Sequence, residues 1–261
     1  MPRFAANLSM MFGEVGFPDR FAAAAAAGFD AVEYLFPYAY DAQDLAARLA
    51  DTGLSQALFN LPPGDWEAGD RGLAAIPGQE DAVDRSIDQA LAYAEALDCP
   101  RLHIMAGIPG DGVDPGLAHD TYVANVARAA DRVGAAGRIL VIEPINTRSM
   151  PGYFLSRQAQ AMAVIDAVGS PHLGLQFDLF HCQIMDGDLE THLRRQFPVI
   201  RHIQIAGVPD RHEPDTGEVN YPHLFGVIDA LGYDGVVGCE YSPAGDTVAG
   251  LGWFAAAQAG K

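Results

Sequence analysis

The feature that most constrains the fold of this chain is an alternation of short apolar runs with alanine-rich amphipathic stretches, repeated eight times. Short unbroken apolar runs are typical of strands buried on both faces, as in a parallel sheet. The runs lie at Phe4–Asn7, Ala31–Tyr34, Leu54–Asn60, Leu102–Met105, Ile139–Glu143, Leu173–Asp178, Ile200–Ile205 and Val236–Glu240. The helical candidates lie near Pro18–Ala27, Ala42–Asp51, Glu80–Leu97, Asp120–Ala135, Arg157–Val168, Leu189–Gln196, Tyr221–Leu231 and Thr247–Gln258. Eight strand–helix units predict an α/β fold, a single (β/α)₈ TIM barrel over residues 1–261.

The main alternative is an open, doubly wound sheet. That fold usually carries a glycine-rich phosphate-binding loop after its first strand. The segment Asn7–Gly13, which follows the first run here, is not such a loop. We also expect helix caps at Asp41, Ser156 and Asp188, because short polar side chains before a helix accept hydrogen bonds from its free N–H groups.

The charge balance limits the partners of the chain. It has 16 lysine and arginine residues against 34 aspartate and glutamate residues, which gives a net charge of −18. Because nucleic acid and anionic membranes attract basic surfaces, we expect neither as a partner. The three cysteines have no paired spacing, no signal-peptide layout is present, and no apolar stretch is long enough to span a bilayer. We therefore expect a cytoplasmic protein, and a homo-oligomer is compatible with this sequence.

One connection, Leu61–Gln79, is unusually long for a compact fold. Long loops of this kind are usually functional lids or disordered segments. We interpret it as a lid over the site, with Trp66 and Arg71 as candidate contacts to the substrate. The alternative is that these two side chains only hold the loop's own shape.

The strand ends indicate where the chemistry lies, because TIM-barrel active sites form at the C-terminal ends of the strands. Every strand brings a polar side chain there: Asn7, Glu33, Asn60, His103, Glu143, Asp178, Gln204 and Glu240. Buried carboxylates that lie close together need a compensating cation or shared protons. The last four residues fall on consecutive strands and form an oxygen-rich set that favours Mg²⁺ or Mn²⁺. The alternative is that they cap loops or pair with arginines.

Three further residues are candidates for binding the substrate. His181 lies three residues after Asp178, in the expected loop after the sixth strand. Arg211 could pair with a substrate carboxylate, and His103 interrupts an apolar strand. A buried structural histidine and a solvated loop arginine are the alternatives for these positions.

The motifs around these residues resemble a known family. They are Glu143-Pro144, Asp178-Leu-Phe-His181, Gln204-Ile-Ala and Cys239-Glu240-Tyr241, with Phe21–Tyr38, Phe59–Trp66 and Arg71–Gly78. Together they cover most of the chain and resemble the xylose-isomerase-like sugar isomerase and epimerase barrels, most closely the hydroxypyruvate isomerases. The resemblance implies one divalent metal ion at Glu143, Asp178, Gln204 and Glu240, and proton transfer by Glu143 and Glu240.

The resemblance also implies an aldose–ketose type isomerase, an intramolecular oxidoreductase, acting on a small hydroxy or oxo acid. We expect conversion of hydroxypyruvate to 2-hydroxy-3-oxopropanoate through a cis-enediolate. Isomerases of 2-oxo-tetronates and related sugar epimerases are nearly the same in sequence and remain alternatives. From a different class, a non-catalytic metal- or sugar-binding barrel or an endonuclease-like phosphodiesterase could share the same rim of carboxylates.

Overall fold

The eight predicted strands close into a parallel barrel. In the computed structural model, which describes residues 2–259, each strand pairs with its neighbours in sequence and the last strand pairs with the first. The strands are β1 (Arg3–Asn7), β2 (Ala31–Glu33), β3 (Ser55–Asn60), β4 (Arg101–His103), β5 (Ile139–Ile142), β6 (Leu173–Asp178), β7 (Ile200–Ile205) and β8 (Val236–Cys239). Closure confirms the TIM barrel and rules out the open doubly wound sheet.

The helices alternate with the strands along the chain. They are α1 (Phe17–Ala26), α2 (Ala42–Thr52), α3 (Glu80–Ala96), α4 (Pro115–Ala135), α5 (Gln158–Val168), α6 (Leu179–Met185), α7 (Leu189–Gln196), α8 (Tyr221–Ala230) and α9 (Gly252–Ala259), with a 3₁₀ turn at Phe197–Val199. Within the described residues, no helix combines the length and apolar character needed to cross a bilayer.

Three details of the helices differ from the sequence predictions. The short helix α6 occupies the connection in which we expected a loop. The fourth helix begins at Pro115 and not at Asp120, because Asp114 caps it by accepting from the N–H of Leu117 at 2.9 Å. The last helix begins at Gly252 and not at Thr247, whose hydroxyl instead accepts from the N–H of Phe12 at 2.9 Å.

The predicted caps have mixed outcomes. Asp41 caps α2, because its carboxylate accepts from the N–H of Gln43 at 2.8 Å. Ser156 is wrong as a cap, since Arg157 holds the cap position of α5 and makes no capping hydrogen bond with its side chain. Asp188 does precede α7, but its backbone is left-handed and its side chain makes no capping bond.

The hydrophobic core lies between the strands and the surrounding helices. Phe4 on β1 packs edge-on against Phe225 of α8, with ring centroids 5.2 Å apart, and against Trp253 of α9, at 5.3 Å. The barrel interior is polar by contrast, with six buried side chains from five strands: Asn7, Glu33, Gln56, Gln176, His202 and Gln204. Buried polar groups are costly without partners, and five of these six side chains form one hydrogen-bonded network around Glu33. Gln56 lies outside it, because its amino group donates to the carbonyl of Leu58.

The second half of the segment Leu61–Gln79 is tied to the barrel. Gly72 forms an antiparallel bridge with Ala106, just after β4. The backbone of Gly72 has φ +110°, and a Cβ atom there would lie 2.4 Å from the carbonyl oxygen of Met105. Only glycine permits this approach, so the segment is fixed at this point.

The first half of the segment is mostly exposed, from Gly64 to Asp70. It closes on itself, because the Asp70 carboxylate accepts from the N–H of Asp65 at 2.7 Å. The part that remains a candidate lid is therefore Gly64–Asp70 together with the adjoining Arg71, and not the whole connection.

Candidate active site

Three carboxylates and one imidazole meet at the C-terminal end of the barrel. Glu143 follows β5, Asp178 ends β6, Glu240 follows β8, and His181 lies in α6. All four are at most 5% exposed. Each offers one ligand atom, and these atoms lie within 4.8 Å of one another. The structure therefore brings together three of the four predicted metal ligands and one predicted substrate contact.

The two oxygens of Asp178 have separate environments. Oδ1 accepts from the N–H of Phe180 at 2.7 Å and from the N–H of His181 at 3.4 Å, which caps α6. Oδ2 is buried, has no hydrogen-bond partner among the described residues, and lies 3.5 Å from His181 Nε2. One oxygen thus fixes the helix, and the other faces the cluster.

The hydrogen bonds of His181 determine where its proton lies. Its Nδ1 accepts from the backbone N–H of Asn146 at 3.3 Å and lies 2.6 Å from Asn146 Nδ2. The Asn146 oxygen is occupied by the N–H of Ser149 at 2.7 Å, so its amino group must face the imidazole. Burial lowers the pKa of His181 well below its ordinary value, so the ring is neutral. Its single proton therefore lies on Nε2, which makes His181 a donor toward the cluster and not a metal ligand.

Burial raises the pKa of all three carboxyl groups. It raises the pKa of Glu143 well above the ordinary value, and the neighbouring charges of Glu240 and Asp178 add to this effect. Burial also raises the pKa of Glu240 to about 8, although Arg211 acts in the opposite direction. The pKa of Asp178 is raised for the same reason. Without an added cation the cluster therefore holds protons that exposed carboxylates would have lost at neutral pH.

Arg211 is the protein's own cation in the cluster. Its Nη2 lies 2.5 Å from Glu240 Oε2 and 3.8 Å from Asp178 Oδ2. Burial acts against its charged form, but the charges of Glu240 and Asp178 outweigh burial and raise its pKa. The backbone of Arg211 is left-handed, with φ +60°, a conformation that costs a non-glycine residue roughly 1–2 kcal/mol. The carboxylates hold the guanidinium in the site despite this cost.

A cavity of about 300 Å³ opens onto the cluster. Its polar lining comprises Asn60, Arg71, His103, Glu143, Ser149, Gln176, His181, Arg211 and Glu240, and its apolar lining Met10, Leu35, Trp66, Met105, Ile145 and Met150. All the predicted substrate contacts therefore lie on one cavity. Its size and its nine convergent polar side chains suit a small polar molecule.

His103 is a neutral side chain at the back of this cavity. Its Nδ1 lies 3.2 Å from Asn60 Oδ1 and 3.7 Å from Glu143 Oε2. Burial lowers the pKa of His103 to about 3, so it carries no charge near pH 7. Because Asn60 Oδ1 can only accept, the proton lies on Nδ1 and Nε2 carries the lone pair.

Arg71 brings a second cation to the cavity from the candidate lid. Its guanidinium carbon lies 3.9 Å from the ring centre of Trp66, and its Nη1 donates to the carbonyl of Trp66 at 3.0 Å. Trp66 also packs against Phe36, with ring centroids 5.1 Å apart. Arg71 therefore helps to hold the shape of its own loop, which was the alternative to substrate contact. It also faces the cavity.

Gln204, the fourth predicted ligand, is buried beside Asp178, its partner in the register of β6 and β7. Its Nε2 donates to Glu33 Oε1 at 2.8 Å, and its Oε1 accepts from Gln176 Nε2 at 2.6 Å. It does not line the cavity. A carbonyl oxygen has two lone pairs, so Gln204 Oε1 retains one for a further partner.

Two residues of the site have no place in the sequence predictions. Gln176 lines the cavity two positions before Asp178, on the same face of β6, and strand alternation could have identified it. Asn146, which orients His181, follows Glu143 by three residues in an irregular segment, and no periodic pattern indicates it.

The donor set fits a hard divalent cation. Glu143 Oε1 and Asp178 Oδ2 are buried oxygens without hydrogen-bond partners in the described part of the chain. Unpaired buried acceptors are costly, and a cation bound between them would remove that cost. The residues that could hold it are Glu143, Asp178 and Glu240, with Gln204 adjacent.

The fold and the cluster together define a (β/α)₈ barrel. The C-terminal ends of its strands carry a carboxylate cluster suited to a hard cation. The chain belongs to the xylose isomerase-like TIM barrel family, whose model matches residues 21–257. The resemblance noted in the sequence is thereby confirmed.

Individual relatives match over nearly the whole chain. It is 57% identical to a 2-oxo-tetronate isomerase of Cupriavidus necator over 97% of this chain and 98% of the relative. It is 44% identical to the hydroxypyruvate isomerase of Escherichia coli, again over 97% and 98% of the two chains. A solved structure described as AP endonuclease, family 2, from Brucella melitensis superposes with a TM-score of 0.96 at 52% identity, over 98% of this chain and 99% of that one. The named relatives confirm the prediction of an isomerase of the intramolecular oxidoreductase class.

Proposed function

We propose that this protein is a divalent-metal-dependent isomerase that moves a carbonyl group between adjacent carbons of a small 2-oxo acid. The observation that carries the proposal is the pair Glu143 and Glu240. Both are buried carboxyl groups with raised pKa values, and both face one cavity beside Asp178. Paired carboxyl groups of this kind are suited to removing and returning a carbon-bound proton.

Glu143, Asp178 and Glu240 would hold the ion, with Gln204 as the fourth oxygen donor. An all-oxygen set favours Mg²⁺ or Mn²⁺. When bound, the ion supplies positive charge that favours the ionised carboxylates and stabilises negative charge on substrate oxygens. The buried oxygens of Glu143 and Asp178 that lack hydrogen-bond partners within residues 2–259 support this assignment.

Arg71 is the cation that we assign to the substrate carboxylate. Arg211 is already engaged with Glu240 and Asp178, whereas Arg71 makes its hydrogen bonds to backbone carbonyls. Arg211 then faces the reacting end of the substrate. His181 donates a hydrogen bond from its Nε2–H group to a substrate oxygen, because Asn146 holds the other ring nitrogen as an acceptor. These contacts would orient the substrate before any proton moves.

The proton transfers then need only Glu143 and Glu240. One carboxylate removes the proton from C3 of the 2-oxo acid, which gives a cis-enediolate across C2 and C3. The other group, as a carboxylic acid, returns a proton to C2, and the hydroxyl proton passes from O3 to O2. After product release, proton exchange with solvent returns both carboxyl groups to their starting protonation states. C2 is reduced and C3 is oxidised, so the reaction needs no external oxidant. The apolar cavity wall, with Trp66 on the candidate lid, would exclude water from the enediolate.

The identities of the relatives support an order of the candidate substrates. The sequence motifs place hydroxypyruvate first, but the relative with 57% identity is a 2-oxo-tetronate isomerase and the hydroxypyruvate isomerase shares 44%. We therefore propose a four-carbon 2-oxo-tetronate as the preferred substrate and hydroxypyruvate as the second. The two differ by one hydroxymethyl group, which the cavity of about 300 Å³ is large enough to accept.

The name of the Brucella structure raises phosphodiester cleavage as a different activity. A nuclease must attract a polyanion, and electrostatic attraction supplies essentially all non-specific binding to nucleic acid. This chain carries a net charge of −18, and its cavity is small and partly apolar. The isomerase is therefore the better-supported function.

Paired assays test the proposal. Protein stripped with EDTA and then reloaded with Mn²⁺ or Mg²⁺ should convert a 2-oxo-tetronate to its 3-oxo isomer, followed by NMR, faster than it converts hydroxypyruvate. Full activity of the stripped protein would contradict the metal dependence. Cleavage of an abasic-site DNA duplex, with no turnover of either acid, would replace the isomerase by the nuclease.

A further inference from the structure

One fully buried carboxylate in the barrel interior has no role in the proposed reaction. Glu33, at the end of β2, is 0% exposed. Its Oε1 accepts from Gln204 Nε2 at 2.8 Å and from Asn7 Nδ2 at 3.1 Å. Its Oε2 lies 2.6 Å from His202 Nε2. Burying a carboxylate at the centre of a barrel is costly, and a role in stability alone could be met by apolar packing.

The hydrogen bond between Gln204 and Glu33 fixes the orientation of the Gln204 amide group. A glutamine amide can rotate by half a turn, which exchanges its oxygen, an acceptor, for its amino group, a donor. Only the oxygen can bind a cation. Glu33 Oε1 accepts from the amino groups of both Gln204 and Asn7, so the amino group of Gln204 points toward Glu33. The oxygen must then point the other way, toward Gln176 on the cavity wall.

The backbone of β8 makes room for this carboxylate. A Cβ atom at Gly238 would lie 2.3 Å from Glu33 Oε2 and 2.5 Å from Glu33 Oε1. The glycine therefore allows the carboxyl group to reach across the barrel from β2 to the side chain of Gln204 on β7.

We propose that Glu33 is a positioning residue for metal binding, which holds Gln204 with its carbonyl oxygen directed at the ion and its amino group directed away. The inference rests on the proposed metal site. It makes Glu33 act by hydrogen bonding through Gln204, not by contributing a charge of its own to the ion.

Direct measurement of Mn²⁺ binding tests this assignment, because it does not depend on activity. Titration of the stripped protein, followed by electron paramagnetic resonance of free Mn²⁺, gives the Kd of each variant. Glu33→Leu removes the acceptor, and we expect its Kd to rise about 10- to 100-fold, the usual cost of losing a partner behind a metal ligand. Glu33→Gln loses the charge but keeps an acceptor oxygen, and its Kd should stay within several-fold of the native value. Equal losses in the two variants would mean that the charge acts, and would overturn the proposal.

A second perturbation keeps every charge. Gly238→Ala places a methyl group against the Glu33 carboxyl group and should weaken Mn²⁺ binding as Glu33→Leu does. It also serves if Glu33→Leu does not fold. Gln56→Leu is the matched control, because the Gln56 amino group donates to the carbonyl of Leu58 and not to the Glu33 network. Its Kd should be unchanged, and a loss equal to that of Gly238→Ala would reduce Glu33 to a general packing role and refute the proposal.

Gln204→Leu separates this inference from the metal site itself. If the native protein binds Mn²⁺ and Gln204→Leu binds it equally well, Gln204 is not a ligand and the role of Glu33 fails while the metal site stands. If the native protein binds no Mn²⁺, both the metal site and the inference fail. Loss of affinity in Gln204→Leu and Glu33→Leu, with retention in Glu33→Gln, supports the proposal.

Discussion

Without metal, this protein should lose stability as the pH rises from 6 to 8. Glu240 has a folded-state pKa of about 8, because it is buried, whereas an unfolded glutamate titrates near 4.3. Across this range the folded protein retains a proton that the unfolded chain has lost. The folded state thus binds more protons, so its free energy of unfolding falls with rising pH.

The size of the loss follows from the two pKa values. Integrating the linkage relation between pH 6 and pH 8, for one group that titrates at about 8 when folded and about 4.3 when unfolded, gives about 2 kcal/mol. The raised pKa values of Glu143 and Asp178 act in the same direction. This is a large fraction of the stability of an ordinary domain, so it should be visible in a denaturation curve.

The measurement is urea denaturation of EDTA-treated protein at pH 6 and pH 8. Glu240→Gln is the matched variant, because its amide is neutral at both values and resembles the protonated acid. Its loss between pH 6 and pH 8 should be smaller than that of the native protein by about 2 kcal/mol. Equal pH dependence of the two proteins would refute the assignment of this proton to Glu240. With saturating Mn²⁺ the trend should reverse, because the ion competes with protons and binds more tightly at high pH.

Three further predictions concern catalysis. Glu143→Gln and Glu240→Gln should each lower kcat at saturating metal by about 100-fold or more, and the native enzyme should wash solvent deuterium into the product; near-native kcat in either variant would remove that residue from proton transfer. Arg71→Gln should raise KM for the 2-oxo acid by about tenfold with a smaller effect on kcat, and an unchanged KM would remove Arg71 from carboxylate binding. Shortening the candidate lid within Gly64–Asp70 should lower turnover while leaving the Tm within a few degrees, because this part is exposed and outside the core; unchanged kinetics would exclude a lid role.

The sequence predicts the fold well because the barrel is built from local patterns. Each strand is a short apolar run, most helices have their own periodicity, and eight strand–helix units favour a closed barrel. The features that the sequence does not predict depend on single hydrogen bonds. Ser156 has the chemistry of a cap, yet the helix begins one residue later, after Arg157. Asp178 is predicted as a metal ligand, and nothing in its pattern shows that the same side chain also begins α6.

In the site, too, the sequence predicts some features and not others. Strand alternation and strand ends predict which residues approach the rim, since the side-chain period of a strand is fixed. They do not predict which atom of each residue faces the centre. The proton on His181 Nε2 depends on Asn146, and the direction of the Gln204 oxygen depends on Glu33. Both partners are distant in the chain, so only tertiary contacts identify them.

The two-sided use of Asp178 limits how this barrel can change. One of its oxygens begins α6, and the other is buried without a hydrogen-bond partner among the described residues, so with the proposed metal ion bound a single carboxylate would serve folding and ligation together. Glutamate offers the same charge and ligand atoms, but its longer side chain cannot hold both contacts from the same backbone position. In a saturation library selected for activity, position 178 should therefore tolerate aspartate alone. Substitutions that adapt this scaffold to new substrates must then lie elsewhere on the cavity wall, at side chains that contact the substrate and do not also cap a helix.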